Sequence, residues 1–407
     1  MIKKINKPEL VAPAGDWPSL RTAIESGADA VYFGVKKLNM RAEASNFDTL
    51  EIKKVISLLH KSGKKGYLVL NTIVYNRELP ELKKIIKEAR KCNVDAVMSW
   101  DMAVVNVARA QGLNVHLSTQ ASVSNFEAVK FYAGLGIKRI VLARECSLVE
   151  IEDIIRKVKK EKLDCEIEVF IHGAVCVSIS GRCFLSQDLY SKSANRGECI
   201  QPCRRQYLIQ DIETGAVVEI GEDYILSAKD LCSIEFIDKL IEAGISAFKI
   251  EGRMRPPEYI SVVTGVYRQA IDDYFKGSLT LEIKKSLKEK LLGTYNRGFT
   301  EGFYFGVPKD TGSAQGISAY DKIFLGQVRK FYGKINVLEM ILRNEIVKIG
   351  DQLLVFGKTT PASFAQVSQL QIKHKPVDSA KKGELVGIKV PFLARPKDKV
   401  FLWRKKL

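Results

Sequence analysis

Histidine is scarce in this chain of 407 residues, which carries only His60, His116, His172 and His374. No H-E-x-x-H and no G-x-S-x-G occurs, so neither zinc-dependent hydrolysis of that type nor a serine nucleophile elbow has a basis in the sequence. No G-x-G-x-x-G follows the first apolar segment, which weakens a dinucleotide-binding reading. No apolar run reaches the roughly 20 residues of a membrane span, so no membrane partner is expected. The N-terminus, M-I-K-K-I-N-K-P-E-L-V-A-P-A-G, lacks the apolar core of a secretion signal, and a cytoplasmic location is the expectation. Low-complexity tracts are absent as well.

What the chain has in excess is positive charge. Its 64 Lys and Arg against 47 Asp and Glu give a formal net charge of +17. Dispersed lysine on solvated helix faces accounts for part of this. The remainder creates a field that favours polyanions, with nucleic acid and acidic small molecules as the classes to consider. Length and a 46% hydrophobic content permit one large domain plus a smaller one, with no need of disulfides to hold a core.

Short apolar runs alternate with longer amphipathic segments through the first 170 residues. The runs are 9–14, 30–35, 66–71, 96–101, 115–120, 139–144 and 167–172; helical segments separate them. Continuous apolar strands between helices imply a parallel sheet buried on both faces. An eighth run, 247–250, follows a cysteine-rich stretch, and 257–276 reads as its helix. The expected class is therefore α/β: a (β/α)8 TIM-like barrel over 1–277, with a cysteine-rich insertion (173–233) after strand seven. A doubly wound open sheet is the alternative. Residues 278–318 read as a helical and aromatic linker. Residues 319–407 alternate β-type runs with turn signals and predict a small C-terminal β-barrel.

In a barrel the strand C-termini share one mouth. Gly15, Gly34, Asn71, Asp101, Gln120, Arg144, His172 and Glu251 fall there. Asn71, Gln120 and Arg144 are candidate substrate-binding residues, together with Arg182, Arg196 and Arg253. Lys249 and Glu251 at strand eight, with His172 at strand seven, are the candidate catalytic groups. The arginines suit a carboxylate or a phosphate equally. In the linker, Tyr295, Arg297 and Phe299 either dock it or stack on a base.

Five of the eight cysteines follow the pattern C-x6-C-x15-C-x3-C-x28-C: Cys176, Cys183, Cys199, Cys203 and Cys232. In a reducing compartment such a cluster points to metal or redox chemistry rather than disulfides. Zinc usually takes two tight C-x2-C pairs, whereas wider and irregular spacing suits a [4Fe–4S] cubane. Spacing leaves the cubane, zinc and plain thiols all open, and it leaves Cys203 and Cys232 both open as a fourth ligand.

Several stretches resemble the peptidase U32 family. They are E-V-F-I-H-G-A-V-C (168–176), S-G-R-C-F-L-S (180–186), N-R-G-E-C-I-Q-P-C-R (195–204) and K-I-E-G-R-M-R (249–255), with L-V-A-P-A-G-D and D-A-V-Y-F-G near the start. The closest branch is the one needed for 5-hydroxylation of the tRNA wobble uridine; related branches serve rRNA cytidine and ubiquinone hydroxylation. The resemblance implies a [4Fe–4S] cluster on Cys176, Cys183 and Cys199, with Cys203 preferred over Cys232 as fourth ligand. It implies tRNA as partner and an oxygen donor other than O₂, with prephenate, a dicarboxylate, as a candidate co-substrate. The family name carries a second expectation, a peptidase acting on collagen-like or other peptides. A third is an RNA-binding factor whose cluster is structural.

Overall fold

The computed structural model describes residues 5–42, 44–205, 207–210, 212–219, 226–308, 316 and 318–406. Parts of the expected insertion (206, 211, 220–225) and linker (309–315, 317) lie outside the described residues.

The eight expected strands form a closed parallel barrel. They are β1 (Glu9–Ala14), β2 (Ala30–Gly34), β3 (Lys65–Val69), β4 (Ala96–Ser99), β5 (Val115–Leu117), β6 (Arg139–Val141), β7 (Glu166–Gly173) and β8 (Ala247–Ile250). Each pairs with the next, and β8 pairs with both β7 and β1, which shuts the ring. Helices cover the outside. In Ile52–Lys61 the buried residues are Ile52, Val55, Ile56 and Leu59, the spacing of one helical face. Burying each such side chain contributes about 1.5–3 kcal/mol. Helix starts are fixed by side chains: Asp16 accepts from the Ser19 N–H at 2.8 Å, and Ser147 with Glu150 forms a capping box. Asp101, at the end of β4, is also a cap, accepting from the Ala103 N–H at 2.9 Å.

The insertion returns to the sheet. Asp230–Cys232 runs antiparallel to β7, and Phe299–Thr300 of the linker pairs beyond it. Helices Pro257–Phe275 and Leu281–Leu292 complete the outer layer.

The C-terminal unit has its own apolar core, including Leu325, Leu338, Leu353, Val386 and Leu402. Its main sheet is antiparallel and eight-stranded, running from Ser363–Gln366 at one edge to Lys375–Pro376 at the other. The expected barrel is thus a half-barrel, because among the described residues its two edge strands do not pair with each other. One edge is only two residues long and ends in a proline, which has no N–H to donate to a ladder. The unit docks on the large barrel: the Ala362 N–H donates to Thr22 Oγ1 at 2.8 Å, and Lys322 pairs with Glu258 at 2.5 Å.

Candidate active site at the barrel mouth

Charge runs down the axis of the barrel. Interior positions of the strands carry Glu9, Arg139, Glu168 and Lys249 among apolar neighbours such as Tyr32, Tyr67 and Met98. Glu168 is fully buried, 2.7 Å from Lys249 Nζ and 3.3 Å from Arg139. Arg139 reaches Glu9 at 2.6 Å, and Tyr67 donates to the same carboxylate at 2.6 Å. Burial alone would raise the Glu168 and Glu9 carboxyls, but their cationic neighbours outweigh it and hold both below the ordinary range. Burial pulls Lys249 down despite Glu168.

Above Lys249 the axis opens into a pocket. Its wall includes Tyr32, Arg41, Asn71, Gln120, Arg144, Cys176, Lys249, Glu251 and Arg253. Arg41 pairs with Glu251 at 3.2 Å. Arg144 donates to the Ala174 carbonyl at 2.9 Å and lies over the Phe170 ring at 4.1 Å, while its Nε finds no partner among the described residues. Arg253 reaches Asn39 Oδ1 at 3.2 Å. Among the described residues neither Arg144 nor Arg253 has a carboxylate within ion-pair distance. Burial is the main cause of the fall in both, to about 10 for Arg253. Glu251 is held below its ordinary value against burial by Arg41, Arg144 and Arg255. Three guanidinium groups against one carboxylate leave two positive charges in the wall, with Lys249 offset by Glu168. Such a pocket suits an anion.

Gly34 makes room for this arrangement. A Cβ there would lie 2.7 Å from Arg253 Nη1 and 3.0 Å from Asn46 Oδ1. The insertion covers the mouth by packing on the long loop after β2. Gly197, at φ +90°, would drive a Cβ to 2.4 Å from the Asn39 carbonyl.

Four cysteines of the insertion gather beside this pocket. Burial raises the Cys203 thiol, Arg204 opposes, and Cys176, Cys199 and Cys183 are near enough to raise it further. The Ser178 N–H points at Cys176 Sγ and the Leu185 N–H at Cys183 Sγ, both at 3.4 Å; Ser186 Oγ lies 3.8 Å from Cys199 Sγ. Donors aimed at sulfur are what thiolate ligands of a cluster use. A tetrahedral zinc centre needs sulfurs about 2.3 Å from one point. Among the described residues no three His, Cys, Asp or Glu groups are close enough to hold a metal ion, which bears on zinc and on a cluster alike. Cys232 lies elsewhere, in the barrel's outer core with its Sγ 3.8 Å from Tyr267 Oη. Burial pushes its thiol up to about 11.

The mouth therefore brings together Asn71, Gln120, Arg144, Lys249, Glu251 and Arg253 as read from the sequence. Asn71 donates to Gln120 at 2.8 Å, so part of their polar capacity is spent on each other. Arg182 sits at the rim, donating to the Gln120 carbonyl at 3.1 Å. Arg196 is outside the pocket wall; it clamps the insertion to Glu78 and the Ile73 carbonyl. His172 is outside it too. Two steps along β7, Phe170 to His172, face one step along β8, Lys249 to Ile250. This bulge turns His172 to the outer layer, where Nδ1 lies 3.3 Å from Tyr267 Oη and the ring packs on Tyr259 and Phe299. Burial pushes it down to about 3, so it is neutral at ordinary pH. Phe299 is thereby a docking residue, whereas Tyr295 stays exposed. Arg41 and Tyr32 were not singled out in the sequence. Tyr32 lies within an apolar run, and Arg41 in a loop with no strand-end signal.

The model for peptidase family U32 matches residues 15–314. An uncharacterized protease of Methanocaldococcus jannaschii is 43% identical over 404 residues, covering 98% of both chains. A collagenase of Porphyromonas gingivalis is 36% identical over 411 residues, covering 99% of both. A tRNA hydroxylation protein of Bacillus subtilis is 38% identical over 361 residues, 86% of this chain and 84% of its own length. The relatives thus divide between peptide and RNA names, and the chain belongs to the peptidase U32 family.

Proposed function

We propose that this protein is an iron–sulfur-dependent RNA hydroxylase that adds oxygen to C5 of a tRNA wobble uridine, drawing it from an acidic donor other than O₂. The observation that carries the reading is the pocket itself: it is positively charged and has Cys176 in its wall. The tRNA-hydroxylating relative supplies the substrate class. In this reading Cys176, Cys183, Cys199 and Cys203 hold a [4Fe–4S] cluster, which when bound supplies one-electron redox chemistry.

The chain's own groups do the rest. Arg144 and Arg253, lacking carboxylate partners, bind the carboxylates of a donor such as prephenate. Glu251 holds Arg41 in line with them at 3.2 Å. Lys249 lies at the floor, 2.7 Å from Glu168, where it can hold or release a proton at Nζ. Phe170 and Tyr32 narrow the pocket and exclude water.

A peptidase is the second reading, favoured by the names of two relatives. The pocket wall contains no histidine to activate a thiol or a hydroxyl. Two measurements decide. Protein purified anaerobically should contain iron and sulfide, and nucleoside mass spectrometry of tRNA from a deletion strain should show loss of 5-hydroxyuridine derivatives, restored by the wild-type gene. Unchanged nucleosides in a strain lacking every paralogue, with gelatin cleaved by the pure protein, would establish the peptidase instead. Iron present with neither activity would leave the structural-cluster factor.

A further inference from the structure

The face that carries the strand C-termini is edged with guanidinium–aromatic stacks. Arg196 and Arg77 lie 4.8 and 5.3 Å from the Tyr75 ring centre, in the loop after β3. Arg182 lies 4.8 Å over Trp100, in the loop after β4. Arg205 lies 4.7 Å over Tyr190 within the insertion. Separate segments of the chain thus contribute to one rim.

Two features set this rim apart from scattered surface aromatics, which need no explanation. The rings are held yet open: Tyr75 is 44% exposed, Tyr190 40%, and Phe184, beside Cys183, 76%. The cations divide in two. Arg196 is tied to Glu78 and fixes its ring. Among the described residues Arg77, Arg182 and Arg205, all exposed, have no carboxylate within ion-pair distance, although Arg77 lies near enough to Glu78 to lower its carboxyl. Exposed ring faces beside exposed guanidiniums outside ion pairs are complementary to a polymer of flat bases and phosphates. A duplex hides its base faces, so the matching partner is an unpaired stretch. A peptide lacks a regular row of negative charges with a flat ring at every step.

We propose that Tyr75, Phe184 and Tyr190, with Arg77, Arg182 and Arg205, form the surface that grips the unpaired segment of an RNA substrate and presents one base to the pocket. This rests on the RNA reading above. Bases stack on the three rings, and the guanidiniums meet the phosphates between them.

The test is fluorescence-anisotropy binding of anaerobically purified protein to an RNA hairpin with a uridine-containing loop, and to the same sequence fully paired. Wild type should prefer the hairpin. Tyr75→Ala and Tyr190→Ala should each weaken hairpin binding about tenfold, while Tyr75→Phe and Tyr190→Phe retain it. Arg205→Gln should lower the salt slope by about 0.7. Phe131→Ala, removing a 64% exposed ring from a helix outside the barrel, should change nothing. Because Tyr75 stacks on Arg196 of the cysteine insertion, the iron content of each variant is assayed beside its binding, and only variants that keep their iron count. Ring variants that fold, by circular dichroism, and bind the hairpin within twofold of wild type would overturn the rim while leaving the RNA reading intact. Equal binding of hairpin and duplex would also overturn it. A wild type that binds neither RNA overturns both.

Discussion

Replacing Arg139 by methionine tests the charged axis of the barrel. Beside the exposed Glu166, Arg139, itself 3% exposed, touches two carboxylates, the fully buried Glu168 at 3.3 Å and the largely buried Glu9 at 2.6 Å. At an effective dielectric of about 20 these contacts are worth roughly 5 and 6 kcal/mol of attraction, most of it offset by the desolvation of the charges. Methionine fills the space but leaves the desolvation of Glu9 and Glu168 in place. Glu168 keeps Lys249 at 2.7 Å and Glu9 keeps Lys65 at 2.7 Å, so neither is orphaned, and the net loss should be about 2–3 kcal/mol at neutral pH, below the range for a buried charge left alone. For a barrel of roughly 300 residues that lowers the midpoint by about 3–5 °C in scanning calorimetry. The sign with pH is fixed. Both carboxyls are held below 4.5 in the folded wild type, so the network's contribution is full above that value and is lost as pH falls through the folded values. In the variant the same groups rise, and protonation relieves the penalty as pH drops. The gap between wild type and variant should therefore be wider at pH 8 than at pH 5. Adding Glu168→Gln should recover part of the loss. A single variant within 1 kcal/mol of wild type, or a gap that does not change with pH, refutes the reasoning.

Other outcomes follow from the site. Alanine at Cys176, Cys183, Cys199 or Cys203 should each abolish iron binding, whereas Cys232→Ala should keep the iron and lose about 1 kcal/mol of packing; iron assay plus thermal melting reads both. Arg253→Met should cut kcat/KM for the acidic donor about 10–150-fold through KM, since hydrogen bonds to charged groups contribute about 1.5–3 kcal/mol. His172, already neutral above about 3, should give no limb to the pH–rate profile, so His172→Phe should leave that profile unshifted while costing about 1 kcal/mol for the lost bond to Tyr267. A profile that moves on that change would return His172 to the chemistry.

The alternation of apolar runs and amphipathic segments determined the barrel by itself. A parallel strand with helices outside and side chains inside has no wet face, so its apolar run is continuous and visible in one dimension. Strand ends then fixed which residues share the mouth, and Arg144, Lys249, Glu251 and Arg253 were legible for that reason. The cysteine spacing announced a site but left Cys203 and Cys232 equal. The family resemblance preferred Cys203, and the fold adds a physical separation, pairing Asp230–Cys232 with β7 and so placing Cys232 against Tyr267. His172 was placed at the mouth because it ends an apolar run; the bulge that turns it outward is one extra residue and has no sequence signature here. Arg41 was invisible because its loop position follows from Gly197 packing on Asn39, a contact between residues 158 apart. Periodicity records which face is buried. Which buried faces meet is decided by closure of the sheet and by the loops folded over its mouth.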